Sequence, residues 1–352
     1  MVNTMSPPAS EKEAAAATEP AGVPRRLAGL LVALACLALV IVLSLMLGAR
    51  DVPPGTVWRA LTGTATGMDA DAVVDLRLPR TVLGLCVGMG LGVAGALIQA
   101  VTRNPLADPG ILGVNYGSAF AVALGVGVLG VTAPAGYVWF AFGGALVTTV
   151  VVYLIGSVGR GSASPVRITL AGVAIGAVLS GITTALVLAD PVAFNRMRAW
   201  EAGSFADRGW EPVIAAAPFV VIGLVLAVYL GSSLNAVALG DDLARSLGAK
   251  VIRTRILSLI AITLLAGAAS AMAGPIAFVG LMIPHVARWI VGPDQRWIIL
   301  YSILFAPILT VAADVLGRLV LPTGEMQVGI VTAFLGAPVL IVLVRRHRVS
   351  AL

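Results

Sequence analysis

The chain has 352 residues, 59% of them apolar and only 11% charged, with a formal net charge of +6. Soluble domains carry about 45–50% apolar and about 25% charged residues, so a mean hydropathy of +1.00 excludes water as the main solvent. A pI of 9.9 could point to nucleic acid, but basic residues scattered over short loops fit membrane orientation better.

Residues 1–24 are rich in Ala, Pro, Glu and Ser and are expected to form a disordered N-terminal tail on the cytoplasmic side. Arg25-Arg26 then precede an apolar run over 27–48, longer than a signal-peptide core, which reads as an uncleaved first span. A helix needs about 20 apolar residues to cross the hydrocarbon. Such runs recur at 81–101, 112–131, 137–158, 168–190, 212–231, 256–273, 276–291, 298–317 and 327–344, giving about ten spans in one polytopic domain over 25–348. The pair 256–273 and 276–291 is divided only by Gly274-Pro275, and its second member is short. With ten spans, inner segments carry 15 of the 23 basic residues and outer segments 8. The positive-inside rule then places both termini in the cytoplasm. The expected fold is an all-α integral membrane protein.

The stretch Asp75–Gly117 combines Arg77 and Arg80 at an outer mouth, a span packed with Gly and Ala, and a break at Arg103-Asn104-Pro105-Leu106. Small residues let helices approach closely in lipid, and proline ends a helix by geometry. Arg318 sits at another outer helix end, near Asp314 and Glu325, which a helix-terminal partner such as Arg318 explains. Arginines at such positions either snorkel to headgroups or receive carboxylates bidentately. The inner loop 234–255 is amphipathic: Leu239, Leu243 and Leu247 recur at helical spacing, Gly240 and Gly248 bracket them, and Asp241, Asp242 and Arg245 lie on other faces. Residues 234–250 therefore read as the docking point of a soluble cytoplasmic partner. Cys36 and Cys86 lie in apolar runs and behave as small hydrophobes. His285 near the end of a short span reads as structural, because no second ligand is spaced to share a metal with it. No carboxylate sits at mid-depth, which argues against an ion-coupled carrier, and no GxxxxGK[ST] sequence is present to bind ATP.

Several motifs together carry a family resemblance. They are Arg77-Leu78-Pro79-Arg80, Gln99, Asn104-Pro105-Leu106-Ala107, Leu112-Gly113, Gly240 to Gly248, Gly280-Leu281-Met282-Ile283-Pro284-His285, Gly324-Glu325 followed by Gly329, and Gly336-Ala337-Pro338. In this order and spacing the chain resembles the iron-siderophore and vitamin B12 permeases of ABC importers, the FecCD family. The resemblance implies the B12-permease-like (type II importer) fold and pairing with a second copy or a paralogue around a shared path. It implies docking of an extracytoplasmic substrate-binding (lipo)protein on Arg77, Arg80 and Arg318. A cytoplasmic gate would be formed by Asn104 and Leu106 and by Ser164 and Pro165. A cytoplasmic ABC ATPase dimer would be coupled through Leu239, Gly240, Asp242, Leu243, Ala244, Leu247 and Gly248. Arg103 stands where family members often carry an acid, so no role is carried over to it.

The expected function is therefore that of a permease subunit, not an enzyme, in the cytoplasmic membrane of a bacterium. It would import a ferric siderophore, or alternatively cobalamin or haem; an ion-coupled secondary carrier is the weaker alternative. No cofactor or metal is expected in this chain, and ATP and Mg would belong to the partner ATPase.

Overall fold

The computed structural model describes residues 23–48, 50–131, 134–157, 165–321 and 324–349, so most of the expected N-terminal tail lies outside it. All regular structure in these residues is helical. Ten apolar helices follow the ten runs read from the sequence: α1 (Val23–Met46), α4 (Leu78–Thr102), α5 (Val114–Gly127), α6 (Pro134–Ser157), α7 (Pro165–Ala189), α9 (Glu211–Ala238), α11 (Val251–Ala273), α12 (Val279–Val291), α13 (Gln295–Val320) and α14 (Val328–Val349). Among the described residues seven helices are long and apolar enough to cross a membrane, and α5, α12 and the apolar part of α14 are shorter. Proline stands in the first turn of α4, α6, α7 and α9, where its missing N–H would have had no helical partner anyway.

Helix α4 is the buried centre, packed against α9, α11, α12 and α13. Its small residues explain why. A Cβ added to Gly88 would lie 2.6 Å from the backbone nitrogen of Pro307 on α13, and one on Gly95 would strike the carbonyl of Gly280 on α12. Close backbone approach of this kind supplies the dispersion contacts that hold helices together in lipid. Helices α5, α6 and α7 form a second group, joined to the first where α6 meets α11. Helix α1 lies outside both, against α13, with the Tyr301 hydroxyl donating to the Arg26 carbonyl at 2.7 Å.

Between α1 and α4 the chain builds three short pieces that sequence periodicity did not signal. These are α2 (Pro54–Leu61), α3 (Met68–Asp71) and a π-helical turn over Ala72–Arg77 that runs directly into α4. Leu45, Val52, Val57, Ala60, Ala70 and Val73 give them a small core of their own. A further short helix, α8 (Pro191–Glu201), follows α7.

The Gly274-Pro275 break keeps the parity of ten. Helix α12 has 13 residues, about 20 Å at 1.5 Å per residue, against about 30 Å of hydrocarbon. Residues 274–278 supply the rest as non-helical chain between Gly274 (φ +79°) and Phe278 (φ +67°). Irregular backbone at this depth must be satisfied by protein: the Ala277 carbonyl accepts from Val279 N–H and the Phe278 carbonyl from Leu281 and Met282 N–H of α12, and the loop after α8 packs against the break. Ser204 N–H donates to the Ala273 carbonyl at 2.9 Å, and Gly329 N–H at the start of α14 donates to the Gly203 carbonyl at 2.9 Å.

Candidate functional site

Two charged constellations stand at opposite ends of the bundle. The end bearing the connection from α9 to α11 is the inner end.

At the outer end, Arg77, Arg80 and Arg318 converge from two distant parts of the chain. The pairing of Asp314 with Arg318 was expected from the sequence; the backbone carbonyls that Arg77 and Arg318 hold were not. Arg77 donates from Nη1 to the carbonyls of Leu45 (2.9 Å) and Met46 (2.7 Å), and from Nη2 to that of Arg50. Arg318 donates from Nη1 to the carbonyls of Ser44 (2.9 Å) and Leu47 (3.2 Å), and from Nη2 to the Ser44 hydroxyl (2.9 Å). The last turn of a helix has carbonyls without intrahelical donors and a negative dipole end. Two guanidinium groups therefore cap the C-terminus of α1. Ser44 passes the network on: its hydroxyl lies 2.8 Å from that of Thr81, which donates to the Arg77 carbonyl at 2.7 Å.

Asp314, buried on α13, is the anion of this cluster. It pairs with Arg318 and accepts from Arg80 Nε and Nη2 at 2.8–3.0 Å. The remaining Arg80 donor, Nη1, reaches Glu325 at 2.7 Å. Arg77 and Arg318 are buried, and both are turned to α1. The Arg80–Glu325 pair forms the accessible edge, with Glu325 the more exposed partner. The three arginines border a cavity of about 530 Å³ whose rim adds Arg50, Asp69, Asp207 and Arg208. Arg50 is exposed and lies 3.4 Å from Asp69. Burial pushes the Arg208 pKa below its ordinary value, with Asp207 and Tyr137 opposing the shift.

At the inner end, α10 (Asp241–Ser246) is a single helical segment between Gly240 (φ +107°) and Gly248 (φ +80°). Both glycines take left-handed backbone that a side chain would strain. Leu239, Leu243 and Leu247 are 59%, 49% and 63% exposed, while Ala244 is fully buried against Val237 and Val251. The three leucines are thus open apolar surface, but the Gly240 turn interrupts the expected helical spacing: Leu243 lies on α10, Leu239 and Leu247 flank it, and Ala244 anchors the helix. Asp242 points to solvent and pairs with Arg245 at 3.4 Å.

Asp241 turns inward instead. It accepts from Arg255 of α11 at 2.9 Å and from Arg103 at 2.7 Å. Arg103 closes α4 in left-handed conformation (φ +53°) and opens the Asn104–Leu106 loop. Asn104 accepts the Leu106 N–H on its Oδ1 at 2.9 Å, which makes that loop a tight Asx turn. Of the other two expected gate residues, Ser164 lies outside the described residues, and Pro165 is described only as the first residue of α7. Beside the turn, Gln99 of α4 donates to the Leu281 carbonyl at 3.1 Å and accepts from Arg288 at 3.4 Å, tying α4 to α12. His285 is buried and stacks edge-on against Trp289 with centroids 4.9 Å apart. Among the described residues no group of three His, Cys, Asp or Glu could hold a metal.

Among the described residues, seven helices long and apolar enough to cross a membrane, with three shorter apolar ones beside them, define a multi-pass membrane protein. Residues 36–346 match the FecCD transport family, and the chain belongs to it. It is similar to the ferric enterobactin transport system permease protein FepD of Escherichia coli K12, 48% identical over 304 residues that cover 86% of this chain and 91% of the relative. The iron(3+)-hydroxamate import system permease protein FhuB of Bacillus subtilis 168 is 39% identical over 320 residues, covering 91% and 83%. A solved structure described as an inward-facing, metal-chelate type ABC transporter superposes with a TM-score of 0.79 at 26% identity, over 90% of this chain and 98% of that one.

Proposed function

We propose that this chain is the permease subunit of an ABC importer that carries a ferric siderophore across the cytoplasmic membrane, with both termini in the cytoplasm. The observation that carries this reading is the inner-end arrangement: exposed leucines on and beside α10, and Asp241 of that helix bonded to the residue that closes α4. An apolar surface of that kind invites a soluble partner, and the bond to the end of a central helix gives that partner a lever. The named substrates of the relatives, ferric enterobactin and iron(3+)-hydroxamate, are metal chelates.

The mechanism is alternating access without chemistry on the cargo. A loaded binding protein docks on the outer socket. Arg80, at the accessible edge, makes the carboxylate contact, while Arg77 and Arg318 hold the outer end of α1 beneath it. ATP and Mg²⁺ are bound by a separate ATPase dimer seated on Leu239, Leu243 and Leu247. Its motion reaches Asn104 and Leu106 through Asp241 and Arg103, and these two form one half of the gate. Ser164 and Pro165 would form the other, and a second permease copy or paralogue would complete the path.

Uptake of iron-labelled siderophores and of labelled cobalamin, in cells with and without the gene, tests the reading. Loss of siderophore uptake alone supports it. Loss of cobalamin uptake alone keeps the machine and changes its cargo. Uptake that persists without the partner ATPase rejects it.

A further inference from the structure

Of the arginines around the outer cavity, Arg208 is the one that the chain leaves without a full set of acceptors. Arg77 and Arg318 are committed to the carbonyls at the end of α1, Arg80 to Asp314 and Glu325, and Arg50 lies beside Asp69. Arg208 has no carboxylate at ion-pair distance among the described residues. Its one bond there runs from Nε to the Ser204 carbonyl, long at 3.4 Å. A half-buried guanidinium held in this way has lost hydration without gaining a counter-ion. The loop that carries it is fixed. Ser204 N–H donates to the Ala273 carbonyl at 2.9 Å, and the Ser204 hydroxyl accepts the Ala206 N–H at 3.1 Å. Phe205 is buried against α4, where a Cβ on Gly84 would stand 3.0 Å from its ring. Gly203 (φ +68°) and Gly209 (φ +62°) bound the turn.

We infer that Arg208 receives a carboxylate of the extracytoplasmic binding protein, and that this contact carries the docking signal to the helix break. The inference rests on the function proposed above and deepens it: the mouth of the cavity is a partner face, and Arg208 is its fixed anion receptor. Arg80 offers an incoming carboxylate only an exchange, because Asp314 and Glu325 already occupy its donors. Arg208 has no carboxylate to displace. A guanidinium takes a carboxylate on two parallel donors, and a group presented by a fixed loop loses little further freedom on binding. The same loop is bonded to the last residue of α11 through Ser204 and to the first turn of α14 through the Gly203 carbonyl, which accepts the Gly329 N–H at 2.9 Å. Load placed on Arg208 therefore reaches two spanning helices through backbone hydrogen bonds.

The experiment uses the assembled permease and ATPase in nanodiscs, with the source cell's purified siderophore-binding protein, cargo-free and loaded. Affinity is read by surface plasmon resonance and the docking signal by stimulation of ATP hydrolysis. R208Q is expected to weaken the affinity of both forms about tenfold and to lower stimulation even at saturating binding protein. R208K, which keeps the charge, recovers most of the affinity. R198Q, which removes an exposed cation of α8 away from the cavity, leaves affinity unchanged. Unchanged affinity in R208Q, no recovery in R208K, or an equal loss in R198Q overturns the proposal. So does a loss confined to the loaded form, which would assign Arg208 to the cargo. Full stimulation of R208Q at saturation overturns the signalling half. A wild type that binds no binding protein rejects the docking reading itself, whereas a wild type that binds, with R208Q its equal, rejects Arg208 alone.

Discussion

The Nη2 of Arg103 lies 2.7 Å from Oδ1 of Asp241, joining residues 138 apart in the chain. Asp241 opens α10, and Arg103 ends α4, so one carboxylate connects the partner-facing helix to the turn containing Asn104 and Leu106. Arg255 grips the same oxygen from α11 at 2.9 Å.

This pair should separate transport from ATP hydrolysis. Replacing Arg103 by Ala is expected to lower uptake about five- to tenfold, the effect of losing a modest coupling energy. R103E, which opposes two carboxylates, should lower it further, and R103K should recover most of it. ATPase activity in the reconstituted complex should persist in all three. Parallel loss of hydrolysis and uptake would show that the pair supports assembly instead.

At the outer end the arginines should divide into two classes. Arg318→Ala leaves Asp314 short of a cation and uncaps α1, so a destabilisation of about 3–5 kcal/mol is expected. Thermal melting of the detergent-solubilised protein reads that loss. Arg80→Lys keeps a cation beside the buried Asp314 while losing the guanidinium fork at the accessible edge, so it should remain folded and instead weaken binding-protein affinity, as measured by surface plasmon resonance.

Leu243→Asp places a charge on the exposed apolar surface of α10. The permease should still reach the membrane at normal levels, because Leu243 is not part of its core. Co-purification of the ATPase should fall about thirtyfold, the scale of one interface anchor of about 2 kcal/mol.

Glycine positions give a packing test. Gly95→Ala drives a methyl group into the Gly280 carbonyl, and overpacking of this kind costs about 1–3 kcal/mol or more. Gly181→Ala on α7 meets nothing within 4 Å and should be neutral or stabilising, since alanine is the better helix former. Accumulation in membranes, followed by a fluorescent fusion, should separate the two.

The ten apolar helices were legible because a run of about 20 apolar residues announces a span by length alone. The short pieces α2 and α3 were not, since four to eight residues carry too little periodicity to signal a helix. Gly274-Pro275 marked the break, but nothing local to it showed that Ser204, some seventy positions earlier, would occupy the Ala273 carbonyl. The outer arginines were found through their motif, yet most of their acceptors are backbone carbonyls of residues 44–50, which any side chain could have presented. Arg103 differs: its departure from the family pattern was visible in the sequence, and only the fold brings it to Asp241.

Gly203, Gly274 and Gly329 meet where the loop after α8, the helix break and the start of α14 come together. A methyl group on any of them would strike a neighbouring carbonyl. Gly248, at the inner end, has open space around it, and a methyl group on Gly240 would meet only the tip of Arg103 at 3.7 Å. The outer ends of these helices are thus locked together backbone to backbone, whereas the glycines that bracket α10 have room around them.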